Sequence, residues 1–100
     1  MGTATRPKPV RLAEKLRQIR EAFGLSQSQM LRRLELDEEL FRSSVSAYEH
    51  GKREPPYPVL LRYARVAGVC TDTLIDDELD LPAKLPNRPT HNVTRRRRTQ

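Results

Sequence analysis

The sequence predicts an all-α domain of five short helices flanked by disordered tails. Three observations predict it. Apolar residues recur at helical spacing through 10–81; Gly24, Gly51 and Gly68 stand at the ends of apolar-periodic runs; and no segment alternates as a half-buried strand does. The flanks have no such periodicity. Residues 1–9 mix Gly2, Pro7 and Pro9 with small polar residues, and 82–100 hold Pro82, Pro86, Pro89 and the arginine run 95–98. Neither flank offers enough apolar surface to offset the entropy of ordering it. The expected division is an arm at 1–9, a folded domain at 10–81 and a basic tail at 82–100. With 100 residues, 36% hydrophobic and 5% aromatic, the chain supports one modest core.

The first helix follows from Leu12, Leu16, Ile19 and Phe23, which share one helical face and stop at Gly24. Ser26 as N-cap and Gln29 three residues on form a capping box, and Leu25 and Met30 occupy the positions of a hydrophobic staple. The short second helix then turns Met30, Leu31 and Leu34 inward. A third helix lies within 37–50, with Phe41, Val45 and Tyr48 on one face and Gly51 beyond its end. Its start is open between an N-cap at Asp37 and a longer loop that ends near Arg42. Lys52-Arg53-Glu54-Pro55-Pro56 reads as a turn, because residues before proline avoid the helical region. Pro58 suits the first turn of a fourth helix, with Leu60, Leu61, Ala64 and Ala67 buried and Gly68 at its end. A last helix at 71–79 has Leu74, Ile75 and Leu79 as anchors.

The net charge is +6, but its distribution says more than its sum. Arg6 and Lys8 in the arm, and Lys84, Arg88 and the arginine run in the tail, supply the excess. Residues 10–81 carry 11 basic against 13 acidic residues. Net charge therefore does not by itself establish a polyanion partner for the core. No uncharged stretch approaches the ~18–20 apolar residues of a membrane helix. The first residues lack the apolar stretch of a secretory leader, and Arg6 stands where a myristoylation signal needs Ser or Thr. The single cysteine, Cys70, excludes an intramolecular disulfide and a cysteine-based zinc cluster. A cytoplasmic protein without a membrane partner is expected.

Catalytic chemistry finds little to stand on. His50 and His91 are the only histidines, and no Gly-rich phosphate loop occurs. The acidic groups Glu35, Asp37, Glu38, Glu39 and Asp72, Asp76, Asp77, Glu78, Asp80 fit helix starts and solvated faces, with no His or Cys at ligand spacing. The expectation is no enzyme, no metal and no cofactor.

Four strings in order carry a resemblance. Leu25-Ser26-Gln27 opens one helix; Val45-Ser46-Ala47-Tyr48-Glu49-His50-Gly51-Lys52-Arg53 closes another; Leu60 to Val69 and Asp72-Thr73-Leu74-Ile75 follow. Together they resemble the lambda-repressor-like helix-turn-helix family, the Cro-type or XRE-type regulators, over about residues 11–79. The resemblance implies that the second helix and the recognition helix form the motif and that the partner is double-stranded DNA.

A helix in the major groove needs small or hydrogen-bonding residues outside and apolar ones inside. Arg42, Ser43, Ser44, Ser46 and Ala47 are expected to read bases, with Arg42 suited to guanine and Ala47 to a thymine methyl. Gln27, Lys52 and Arg53 are expected at phosphates, while His50 stands where the family has Asn. The sequence departs from the family in three ways. Ten residues separate Leu34 from Val45, more than the common pattern has; Leu31 replaces a small residue; and Glu35 replaces the turn glycine. A recognition helix begun at Asp37 would carry Asp37, Glu38 and Glu39 towards the phosphates.

The function implied is a sequence-specific transcriptional regulator, a nucleoid-associated repressor that occupies an operator. Control would come from abundance, a regulatory protein partner or proteolysis. One such helix covers few base pairs, so a homodimer on half-sites ~34 Å apart is expected, joined through helix 71–79 and the flank Leu79-Asp80-Leu81-Pro82. The rival reading is an antitoxin or adaptor that binds a protein with the same fold.

Overall fold

The computed structural model describes residues 8–85. Five helices follow one another: α1 (Leu12–Ala22), α2 (Gln27–Arg33), α3 (Arg42–Glu49), α4 (Tyr57–Ala67) and α5 (Thr71–Ile75). There is no strand among the described residues. α1 packs on α3 and α5, α2 on α3, and α4 on α5. Leu16, Ile19, Met30, Val45, Tyr63, Ala67 and Leu74 are fully enclosed where these helices meet. No helix among the described residues is long and apolar enough to cross a membrane.

The local signals of the sequence reappear as contacts. Ser26 Oγ accepts from the Gln29 amide at 3.1 Å, and Gln29 Oε1 accepts from the Ser26 amide at 2.8 Å. This capping box starts α2, while half-buried Leu25 packs on the core that holds Met30. α1, α2, α3 and α4 all end in the same Schellman pair of bonds. In α2, the Glu35 amide donates to Arg32 and the Leu36 amide to Leu31, at 2.9 and 3.1 Å. The residue each ending requires at positive φ is Gly24, Glu35, Gly51 and Gly68 in turn. A Cβ in that region costs about 1–2 kcal/mol, and Glu35 is the single non-glycine there among the described residues. Arg62 of α4 steadies the turn: its Nη1 donates to the carbonyls of Leu34 at 2.6 Å and Glu35 at 3.3 Å.

Several expectations change. α3 begins at Arg42, with Phe41 as an extended N-cap, so the Asp37-capped alternative is not adopted. Leu36 is the reason. It is buried, and once α2 has closed on Glu35 the chain makes a short turn at 37–39 before it can run helically again. Phe41 is therefore 78% exposed instead of sharing the inner face of Val45 and Tyr48. In α4 the buried face holds Val59, Tyr63 and Val66 beside Leu60, Ala64 and Ala67, and Leu61 is turned outward. The last helix stops at Ile75, four residues short of expectation, and only Leu74 anchors it; Ile75 and Leu79 are exposed. Beyond it, Leu81 and Leu85 pack against the core, which carries the packing past residue 81.

The first and last elements are fastened by long-range contacts. The Asp77 carboxylate accepts from the amides of Val10 and Arg11 at 3.0–3.1 Å, capping α1 in place of a local side chain. Arg11 Nη1 donates to the Asp77 carbonyl at 2.6 Å, and Nη2 pairs with the Asp80 carboxylate. Lys15, 1% exposed between Leu12 and Leu16, donates from Nζ to the carbonyls of Thr73 at 2.7 Å and Asp76 at 2.9 Å. That satisfies carbonyls left over at the end of α5. The arm residues 1–7 and the tail from Pro86 onward, with the arginine run 95–98 and His91, lie outside the described residues.

Candidate nucleic-acid interface

α3 has two faces. Val45, Tyr48 and Glu49 are buried against α1 and α2, while Arg42 and Ser43 are exposed and Ser46 and Ala47 half-exposed. Ser44 departs from expectation. It lies one position before Val45 on the inner side, is 6% exposed, and cannot reach a base edge from there. The outward set is thus Arg42, Ser43, Ser46 and Ala47, four residues that fit within the first two turns of α3.

The lower end of α3 is tied to the start of α2. Glu49 is buried, and its two carboxylate oxygens accept from Arg20 Nε at 2.7 Å and Nη2 at 2.9 Å, a bidentate pair from α1. The third guanidinium nitrogen, Nη1, donates to the Leu25 carbonyl just ahead of α2. Gln27 Nε2 donates to Glu49 Oε1 at 3.4 Å and keeps a second proton for another acceptor. Arg20 thereby fixes three segments relative to one another: its own helix, the entry to α2 and the exit of α3. Tyr63 lies beneath this group; burial first, and the Glu49 carboxylate second, push its phenol above the ordinary range. The phenol stays neutral in ordinary buffers.

Sequence reasoning missed Arg20 and Glu49. A glutamate in the last turn of a helix opposes the helix dipole, and that misplacement is the signal that a cation waits for it. Beyond Glu49, Lys52 and Arg53 are exposed, and both amides donate to the Ala47 carbonyl, at 2.9 and 3.4 Å. Gln27, through Glu49, belongs to this same end of α3. His50 folds back on its own helix: its Nδ1 donates to the Ser46 carbonyl at 2.8 Å, since a carbonyl only accepts. It closes the helix. The acidic residues Asp37, Glu38 and Glu39 stay outside α3, on the exposed turn before it.

Two short helices joined through a closed turn, the second showing a polar face to solvent and an apolar one to the core, define a helix-turn-helix protein, a DNA-binding class. A family model described as a helix-turn-helix domain matches residues 11–77. The chain belongs to that family. No curated protein and no solved structure matches it. No group of three or more His, Cys, Asp or Glu that could hold a metal ion occurs among the described residues.

Proposed function

We propose that the chain is a sequence-specific regulator of transcription that occupies an operator in double-stranded DNA as a repressor. The observation that carries this reading is the two-faced α3, whose inner side is locked by the Arg20–Glu49 pair while Arg42, Ser43, Ser46 and Ala47 face outward. Arg42 addresses a guanine through two hydrogen bonds, the serines address base edges, and Ala47 touches a thymine methyl. Gln27, Lys52 and Arg53 hold phosphates and set the register. The protein works in the cytoplasm at the nucleoid, and a regulatory protein partner is compatible with its size.

The bound form is a homodimer on a two-fold-related site, with Ile75 and Leu79 of the α5 region at its contact. Their exposures of 44% and 41% support this choice, as does Tyr57 at 87%, which lines one open surface pocket together with Ile75. The same exposed residues favour the rival reading, an antitoxin or adaptor that docks a protein there. Selection of bound sequences from random duplexes separates the two. A regulator enriches one sequence with two-fold symmetry; an adaptor enriches none. On the enriched duplex, Arg42→Ala should cost ~1–3 kcal/mol and relax the preference at one base pair, whereas Lys52→Ala should weaken all duplexes alike. An Arg42→Ala protein that selects the unchanged sequence would refute the placement of the reading face.

A further inference from the structure

Phe41 is the apolar residue of the α2–α3 region with no structural work to do. Leu34 and Leu36 before it and Val45 after it are all under 10% exposed, whereas Phe41 is 78% exposed. It is the N-cap of α3, a position where Ser, Thr, Asp or Asn would stabilise the helix by accepting an amide hydrogen bond. Phe41 makes none. Its ring neither caps nor packs. Its location is what singles it out: it adjoins Arg42 at the leading end of α3, and recognition helices touch base edges with their N-terminal residues.

We infer that Phe41 reads the 5-methyl group of a thymine in the major groove, beside the base addressed by Arg42. The inference rests on the DNA-binding reading above. The thymine methyl is the one apolar group that base edges offer in that groove, and aromatic side chains are among its natural partners. A neutral ring at this position also adds nothing to the repulsion between phosphates and the exposed Asp37, Glu38 and Glu39 that precede it. Sequestering one methyl between a ring and its base corresponds to a change of roughly fourfold in affinity. An exposed side chain without a hydrogen bond can be truncated without loss of the fold, because the Phe41 carbonyl that accepts from the Ser44 amide is retained, so Phe41→Ala isolates the contact.

The test replaces each thymine of the selected duplex in turn by uracil, which deletes the methyl alone, and titrates the full chain and Phe41→Ala against the set. One replacement should lower the affinity of the unaltered protein about fourfold and leave that of Phe41→Ala unchanged, whereas replacement of the thymine under Ala47 should weaken both proteins alike. Circular dichroism should show equal helix content in the two proteins. One result overturns the inference: every replacement affects the unaltered protein and Phe41→Ala equally, or affects neither. A selection that enriches no sequence is a different failure. It removes the DNA-binding reading and this inference with it.

Discussion

Two arginines nine residues apart, Arg11 at the N-cap of α1 and Arg20 in its last turn, each meet a carboxylate from a distant part of the chain, and the two sites differ in almost everything else. Arg20 and Glu49 are 17% and 1% exposed at their side chains; Arg11 and Asp80 are 39% and 79% exposed. At the first site both carboxylate oxygens are engaged and the carboxylate itself is buried. At the second the ion pair is open to solvent, and the durable contacts are those of Asp77 with backbone amides. Attraction between opposite charges is present at both. What separates them is whether a charge can return to water once its partner is gone.

The sharpest way to break this contrast is Arg20→Met. It leaves the Glu49 carboxylate buried without a counter-charge, with only the long bond from Gln27, and the cost should be roughly 3–5 kcal/mol in urea unfolding. Adding Glu49→Met should recover most of the loss, because two apolar residues of similar volume carry no desolvation penalty. If the double variant is as unstable as the single one, the pair acts through shape and not through charge.

Asp77→Asn tests the other site and should lower the melting temperature by less. The amides of Val10 and Arg11 hold the Asp77 carboxyl below its ordinary range. Its stabilisation is thus complete above the unfolded value of about 4 and fades as pH falls through the lower folded value. The difference in melting temperature between the unaltered protein and Asp77→Asn should be constant from pH 7 to pH 5 and shrink below about pH 4. A difference that instead grows in acid would reverse the sign of the argument.

Asp80→Ala marks the small end of the scale. Its partner Arg11 also donates to the Asp77 and Leu79 carbonyls, and exposed pairs of this kind contribute little. No shift in melting temperature is expected. A loss comparable to that of Asp77→Asn would show that the solvent-open ion pair matters after all.

The same contrast explains what could be read from the sequence. Ser26 and Gln29 find each other three residues apart, and Gly24, Gly51 and Gly68 close their helices through bonds within one turn, so each is legible in a short window. Lys15 looks like a solvated cation until α5, 58 residues later, supplies the carbonyls that bury it. The Arg20–Glu49 pair hides for the same reason. Phe41 misled because its spacing to Val45 and Tyr48 is helical, whereas the closure of α2 on Glu35 and the burial of Leu36 leave no room to begin α3 before Arg42. Ser44 failed on a finer point. Residue type suggested an outward role, but the position next to Val45 fixes it inward, and only the rotation of the helix decides that.

Asp77 as the cap of α1 has a consequence for the order in which the molecule is made. The carboxylate that caps the first helix lies 66 residues beyond Arg11. At ~5–20 residues per second, a ribosome takes roughly 3–13 s to supply it. Arg20 is completed earlier, since Glu49 follows it by 29 residues. The partner for the far end of the first helix is therefore synthesised before the carboxylate that closes its beginning.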